Sequence, residues 1–170
     1  MNEPLPLICC FTGHRRIDPD HITPLSEEVG RALDILIQRG ITCFRTGGAI
    51  GFDTLAALKI LEKREAHPHL TFELCLPCRD QTVGWRPWER SVFEQIRSRA
   101  DRVVYLSETY DRGCMARRNR YMVDHSVYCI AYCTSDRGGT AYTISYAQKK
   151  GVPVLNLANC PGLSQSIKES

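Results

Sequence analysis

The chain has 170 residues, a net charge of +3, 43% hydrophobic and 24% charged residues, the proportions of an ordinary globular protein. That length suits one domain with a sizeable core, and the composition excludes a disordered or fibrous class. No apolar run is long enough to span a bilayer, and Met1 to Leu7 has neither the basic start nor the apolar stretch of a signal peptide, so a cytoplasmic address and no membrane partner are expected.

Taken in chain order, Leu5 to Thr12 is a near-continuous apolar run, as expected of a strand covered on both faces, and it ends in Thr12-Gly13-His14-Arg15-Arg16. From Thr23 to Arg39 apolar residues recur at Leu25, Val29, Ala32, Leu33, Leu36 and Ile37, a helical period closed by Gly40. Ile41 to Thr46 reads as the second strand. The turn Gly47-Gly48-Ala49-Ile50-Gly51-Phe52-Asp53 leads into a helix from Asp53 to Ala66 with Leu55, Leu58 and Leu61 on one face. His67 and Pro68 stop it, and Leu70 to Leu76 is the third strand. Pro77 to Arg86 reads as a loop, and Pro87 opens a helix with Trp88, Val92 and Ile96 every four residues. Arg102 to Leu106 is the fourth strand, Ser107 to Cys114 a polar loop, and Met115 to Asp124 a helix carrying Arg117, Arg118 and Arg120. Ser126 to Tyr132 is the fifth strand, Asp136 to Thr140 the turn after it, Thr140 to Lys150 a helix, and Val152 to Leu157 the sixth strand. The polar tail from Ala158 to Ser170 is expected to be loosely held, so the domain is drawn at 1–158 with a short tail at 159–170.

Strands alternating with helices at this spacing imply right-handed βαβ units in a single α/β doubly wound, mostly parallel sheet with helices on both faces. All the strand-to-helix turns then share the carboxyl edge of the sheet, where such folds bind ligands.

Two of these turns carry adjacent glycines. At Gly138-Gly139-Thr140 the backbone can approach a ligand closely, and the first amides of the following helix lack intrahelical acceptors, the recipe for an anion site. The same residues also suit a positive-φ turn with Thr140 as N-cap. Gly47 to Asp53 has neither the Gly-x-Gly-x-x-Gly spacing of a dinucleotide site nor the Lys and Ser/Thr of a Walker loop, so it is a wide glycine turn closed by an acid. Asp53 fits either an N-cap or an acceptor for a ribose or base edge. Arg118 shares a helix face with Met115 and Met122, which suits a guanidinium at the ligand edge or one snorkelling over the two Met side chains. His14 has no partner visible in the sequence and reads as a hydrogen-bonding residue. The 17 Arg against 5 Lys, several of the Arg in loops, favour an anionic ligand held by planar forks. Nine cysteines without a signal read as reduced thiols. Cys75-Leu76-Pro77-Cys78 has CxxC spacing but no second pair or His partner, so structural thiols are favoured over a redox pair or half a zinc site, and no metal is expected.

Thr12-Gly13-His14-Arg15, Gly47 to Asp53, Met115-Ala116-Arg117-Arg118-Asn119-Arg120-Tyr121-Met122 and Gly138-Gly139-Thr140, in this order, resemble the SLOG superfamily, most closely its YpsA-like branch. The superfamily joins LOG phosphoribohydrolases with the DNA-processing protein DprA and nucleotide sensors. The resemblance covers nearly the whole chain and implies a Rossmann-like sheet, a ligand-binding set of Thr12, Gly13, His14, Arg15, Gly47, Gly48, Ala49, Gly51, Asp53, Arg118, Asn119, Gly138, Gly139 and Thr140, and a tendency to form homodimers. In LOG enzymes a Met-x-x-Arg-Lys segment matches Arg118, with Asn119 here in place of the Lys. The Glu two residues before that Lys is Arg117 here, and the helix after Gly139 offers Ala141, Tyr142 and Thr143 instead of the catalytic Glu.

Cleavage of an N-glycosidic bond needs a carboxylate to stabilise positive charge and activate water. Both expected carboxylates are missing, so no catalytic residue is assigned, with Asp53, Glu89, Glu108 and Asp111 as possible substitutes. The expected ligand is a nucleotide of the ADP-ribose, NAD or mononucleotide type, bound by a sensor or regulator with no resident cofactor. Nucleotide hydrolysis comes second. Single-stranded DNA binding comes third, because +3 is a small charge and Arg112 to Arg120 with Tyr110 and Tyr121 is the one basic, aromatic stripe.

Overall fold

The computed structural model of the protein describes residues 4–161 and 163. Six strands, β1 Ile8–Gly13, β2 Cys43–Thr46, β3 Thr71–Leu76, β4 Arg102–Tyr105, β5 Tyr128–Tyr132 and β6 Val154–Asn156, form one sheet in the order β4-β3-β2-β1-β5-β6. Between them run α1 Ile22–Gln38, α2 Phe52–Ala66, α3 Pro87–Arg99, α4 Cys114–Asp124 and α5 Gly139–Lys149, with single 3-10 turns at Pro19–His21 and Leu157–Asn159. All five strand pairs are parallel, so the mostly parallel sheet read from the sequence is parallel throughout.

The chain winds outward from β1 to β4, and α4 then carries it back across the sheet to β5 on the other side of β1. β1 and β5 are in register with Thr12 beside Ala131 and Gly13 beside Tyr132. The loops leaving these two strands therefore part in opposite directions, and the crevice between them is the topological switch point of the sheet.

Alternation along each strand feeds two cores. On one face Phe11, Phe44, Phe72 and Ile130 meet Leu33, Phe52, Ile60 and Phe93 from α1, α2 and α3. On the other, Cys10, Cys75 and Cys129 meet Met122, Val123 and Ala147 from α4 and α5. Thiols fill the second core because small apolar groups let α4 cross close over the strands. All nine cysteines are free, and burial pushes the Cys75 and Cys78 thiols up to about 12, so both stay protonated at neutral pH.

Several elements differ from the sequence expectation for local reasons. β1 begins at Ile8, with Leu5 89% exposed, because Pro4 and Pro6 cannot donate to a ladder. The buried face of α2 is Phe52, Ala56, Ala57, Ile60 and Leu61, and Leu58 lies outward. That helix is apolar on several sides, and its small Ala residues allow the close approach to the sheet. In α3 the buried pair is Phe93 and Ile96, while Trp88 is 61% exposed. A step of eight residues turns a helix about 80° past whole turns, which carries Trp88 off the stripe of Ile96. The tail expected to be loose starts in the core: Ala158 and Leu163 are buried against the α1 side of the sheet, and residues 162 and 164–170 lie outside the described residues.

Candidate functional site

At the carboxyl ends of β1 and β5 a cavity of about 320 Å³ is lined by Thr12, Gly13, His14, Arg15, Ala49, Asp53, Arg118, Asn119, Gly139 and Thr140, with Phe11, Met115 and Met122 beneath. Ten of the fourteen residues singled out from the sequence thus share one cavity. Gly47, Gly48, Gly51 and Gly138 do not line it but belong to the turns whose other residues do.

His14 joins three turns. Its N–H donates to the carbonyl of Tyr132 at 3.2 Å, its carbonyl accepts from the N–H of Phe52 at 3.1 Å, and its ring Nε2 accepts from the N–H of Thr134 at 2.8 Å. A nitrogen that accepts is unprotonated, so His14 is neutral with its hydrogen on Nδ1. Partial burial holds its pKa below the ordinary 6.5.

The turn from Gly47 to Asp53 is gripped from several sides. Arg118 Nη1 donates to the carbonyl of Gly47 and, at 3.4 Å, to that of Cys75, while its Nε donates to Asn119 Oδ1 at 2.8 Å. Gln81 donates to the Gly48 carbonyl at 3.0 Å, and Thr54 Oγ1 to that of Ala49 at 2.9 Å. Asp53 does not cap α2. Its Oδ2 reaches back to accept from the Ala49 N–H at 3.2 Å, and Gly51, with φ 85°, is the N-cap. A Cβ on Gly51 would also strike the carbonyl of Arg15, so both conformation and space require glycine there.

Asp53 and Arg118 are each only 5% exposed. Burial raises the Asp53 carboxyl above its usual range, and the Arg118 guanidinium and the Ala49 and Gly47 amides pull it back. Burial likewise lowers Arg118, with Asp53 opposing. Of the Arg118 donors, Nη2 has only the Met115 sulfur at 4.0 Å, a weak acceptor. The shared Met115, Arg118 and Met122 face read from the sequence is present, with Arg118 engaged on one side by carbonyls and open to the cavity on the other.

Opposite Arg118, Gly138 with φ 97° is the N-cap of α5, and Thr140 is the second helical residue, not the cap. The first helical bond comes from the N–H of Tyr142 to the carbonyl of Gly138. The preceding amides at Gly139, Thr140 and Ala141 have no backbone acceptor among the described residues, and a Cβ on Gly139 would meet nothing within 4 Å.

The other candidate carboxylates are occupied elsewhere. Glu108 pairs with Arg79 at 2.8 Å, Asp111 pairs with Arg117 at 3.2 Å, and Glu89 accepts from the N–H of Arg86 at 3.0 Å at the start of α3. Only Asp53 among them lines this cavity. Sequence reasoning missed Asn156, whose side-chain amide brackets Cys133, accepting from its N–H at 3.0 Å and donating to its carbonyl at 2.9 Å, and so fixes the exit of β5. A lone Asn at the end of a strand carries no signal of that pairing.

The model of the YspA SLOG family matches residues 9–153, a span that holds every one of these turns. The chain belongs to the YspA SLOG family. The resemblance carried by its four motifs is thus a membership. Among its relatives is the uncharacterized SPbeta prophage-derived protein YoqJ of Bacillus subtilis (strain 168), 26% identical over 118 residues, 62% of this chain and 69% of that one. The UPF0398 protein BH1768 of Halalkalibacterium halodurans is 24% identical over 132 residues, 76% of this chain and 70% of that one. Among solved structures, DNA processing protein A from Helicobacter pylori, described with a single-stranded DNA binding mode, aligns with TM-score 0.61 at 20% identity over 96% of this chain and 73% of its own. At that identity the likeness is one of fold. Among the described residues no helix is long and apolar enough to cross a membrane.

Proposed function

We propose that this SLOG protein binds a nucleotide or nucleotide derivative as a sensor or regulator, with a phosphate at the start of α5 between Arg118 and Arg15. The observation that carries the reading is Arg118: a buried guanidinium lines the cavity with Nη2 facing no stronger acceptor than a thioether, across from amides that have no backbone partner. Buried donors in that state favour an anion, and a phosphate accepts from several at once. ADP-ribose, NAD and mononucleotides are the ligand types proposed, in a cytoplasmic protein. The fold likeness to a single-stranded DNA binder gives nucleic acid a lower place, since the net charge is only +3.

Calorimetry with ADP-ribose, NAD and mononucleotides tests the assignment: binding should weaken in both Thr140→Ala and Arg118→Ala. Equal affinity in the wild type and both variants removes this site.

A second reading, nucleotide hydrolysis, rests on Asp53, the one candidate carboxylate in the cavity. Incubation with nucleoside monophosphates should then release free base, and Asp53→Asn should abolish the release. No turnover at high protein concentration rejects it.

A further inference from the structure

A second cavity of about 510 Å³ adjoins the first, and the two share Arg15 and Met115. These two side chains touch, with Arg15 Nη2 3.9 Å from the Met115 sulfur, so one pair of long side chains forms the partition of a single crevice. The second compartment is built by the loops that follow β1, β2, β3 and β4. Its distinctive lining is Asp80, Trp85, Glu89 and Tyr110, none of them in the ligand set drawn from the sequence.

The two compartments have opposite chemistry. The first offers guanidinium and amide donors. The second offers carboxylates and aromatic rings. Asp80 Oδ1 accepts from the N–H of Tyr110 at 3.1 Å, and Glu89 Oε2 accepts from the N–H of Arg86 at 3.0 Å, which holds both side chains in place. The Asp80 carboxylate also faces the Cys78 thiol, while the other oxygen of Glu89 has no hydrogen bond or ion pair among the described residues. Trp85 is set edge-on against Phe93 at 5.6 Å, and Tyr110 is exposed, its ring free to stack.

We infer that the crevice takes a two-ended ligand, a nucleoside 5′-monophosphate: phosphate in the first compartment, base in the second, with N–H donors of the base meeting Asp80 and Glu89 and its face against Tyr110 or Trp85. Carboxylates accept and do not donate, so they select a group rich in N–H, and an aromatic ring favours one that is planar. The phosphate end supplies what the first compartment lacks, and the base end what the second lacks. This inference rests on the phosphate site proposed above and adds the identity of the group at the far end, with Asp80, Glu89 and Tyr110 as the residues that set specificity.

The test compares AMP, GMP, CMP, ribose 5-phosphate and inorganic phosphate by calorimetry and by fluorescence. The chain has two Trp, and Trp88 is exposed outside this crevice, so a Trp88→Phe background leaves Trp85 as the sole reporter. At least one nucleoside monophosphate should bind about tenfold or more tightly than ribose 5-phosphate, and it alone should change Trp85 emission. Glu89→Gln keeps the acceptor that caps Arg86, and Tyr110→Ala keeps the backbone N–H bonded to Asp80. Both variants should therefore fold, lose that advantage and leave ribose 5-phosphate binding unchanged. If ribose 5-phosphate matches every nucleotide and neither variant matters while Arg118→Ala still abolishes binding, the base compartment is refuted and the phosphate site stands. If no phosphate compound binds, both fall together.

Discussion

Arg118 of α4 donates to the carbonyl of Gly47, a residue 71 positions earlier in the chain, and so ties the helix that crosses the sheet to the glycine turn that opens α2. The same side chain holds the Cys75 carbonyl and the electrostatic balance of Asp53. Arg118→Lys keeps a charge but loses the planar fork, leaving buried carbonyls unpaired and Asp53 less compensated. Chemical denaturation should show a loss of about 2–4 kcal/mol. A loss below about 0.5 kcal/mol would mean that the guanidinium serves a ligand only.

Gly47 is the spacer in that arrangement. A Cβ there would lie 2.5 Å from Arg118 Nη1 and 2.8 Å from Asp53 Oδ2. Gly47→Ala should cost about 1–3 kcal/mol, read as a lowered melting temperature, because both neighbours are packed and hydrogen-bonded. Gly139→Ala, where the added carbon meets nothing within 4 Å, is the control and should be close to neutral.

His14 predicts a pH dependence. Its folded pKa is depressed below 6.5, so the native state binds fewer protons than the unfolded chain in the window between the two values. The stability it contributes is present above about pH 6.5 and is lost as pH falls through the folded pKa, when Nε2 gains a proton and can no longer accept from Thr134. His14→Gln, which can place an uncharged oxygen near the position of Nε2, should flatten that part of the profile. Identical wild-type and variant profiles between pH 5 and 7 would remove His14 as the cause.

The order of elements was legible because apolar periods mark most of β1 to β6 and α1 to α5, and Gly40, with φ 94°, and Pro68 punctuate the ends of α1 and α2. The candidate cavity was legible in part, since a shared sheet edge follows from the alternation of strands and helices, and Gly13, Gly47 and Gly139 mark its turns. What escaped was tertiary. Nothing in the sequence tells that Arg118 turns toward carbonyls, that His14 accepts from Thr134, or that Asp80, Trp85 and Tyr110 line a compartment next to Arg15. The faces were misread in part because α2 is apolar on several sides, and because in α3 a four-residue repeat drifts round the helix and leaves Trp88 off the buried stripe.

The central claim, a phosphate held by the amides at the start of α5, is tested most directly by Gly139→Pro. Gly139 is the first helical residue, where proline is favoured and its missing N–H costs the helix nothing, and an added Cβ there meets nothing within 4 Å. Calorimetry with AMP should show about tenfold weaker binding at an unchanged melting temperature, because one donor to the phosphate is gone. Undiminished affinity in a normally folded variant would contradict the account.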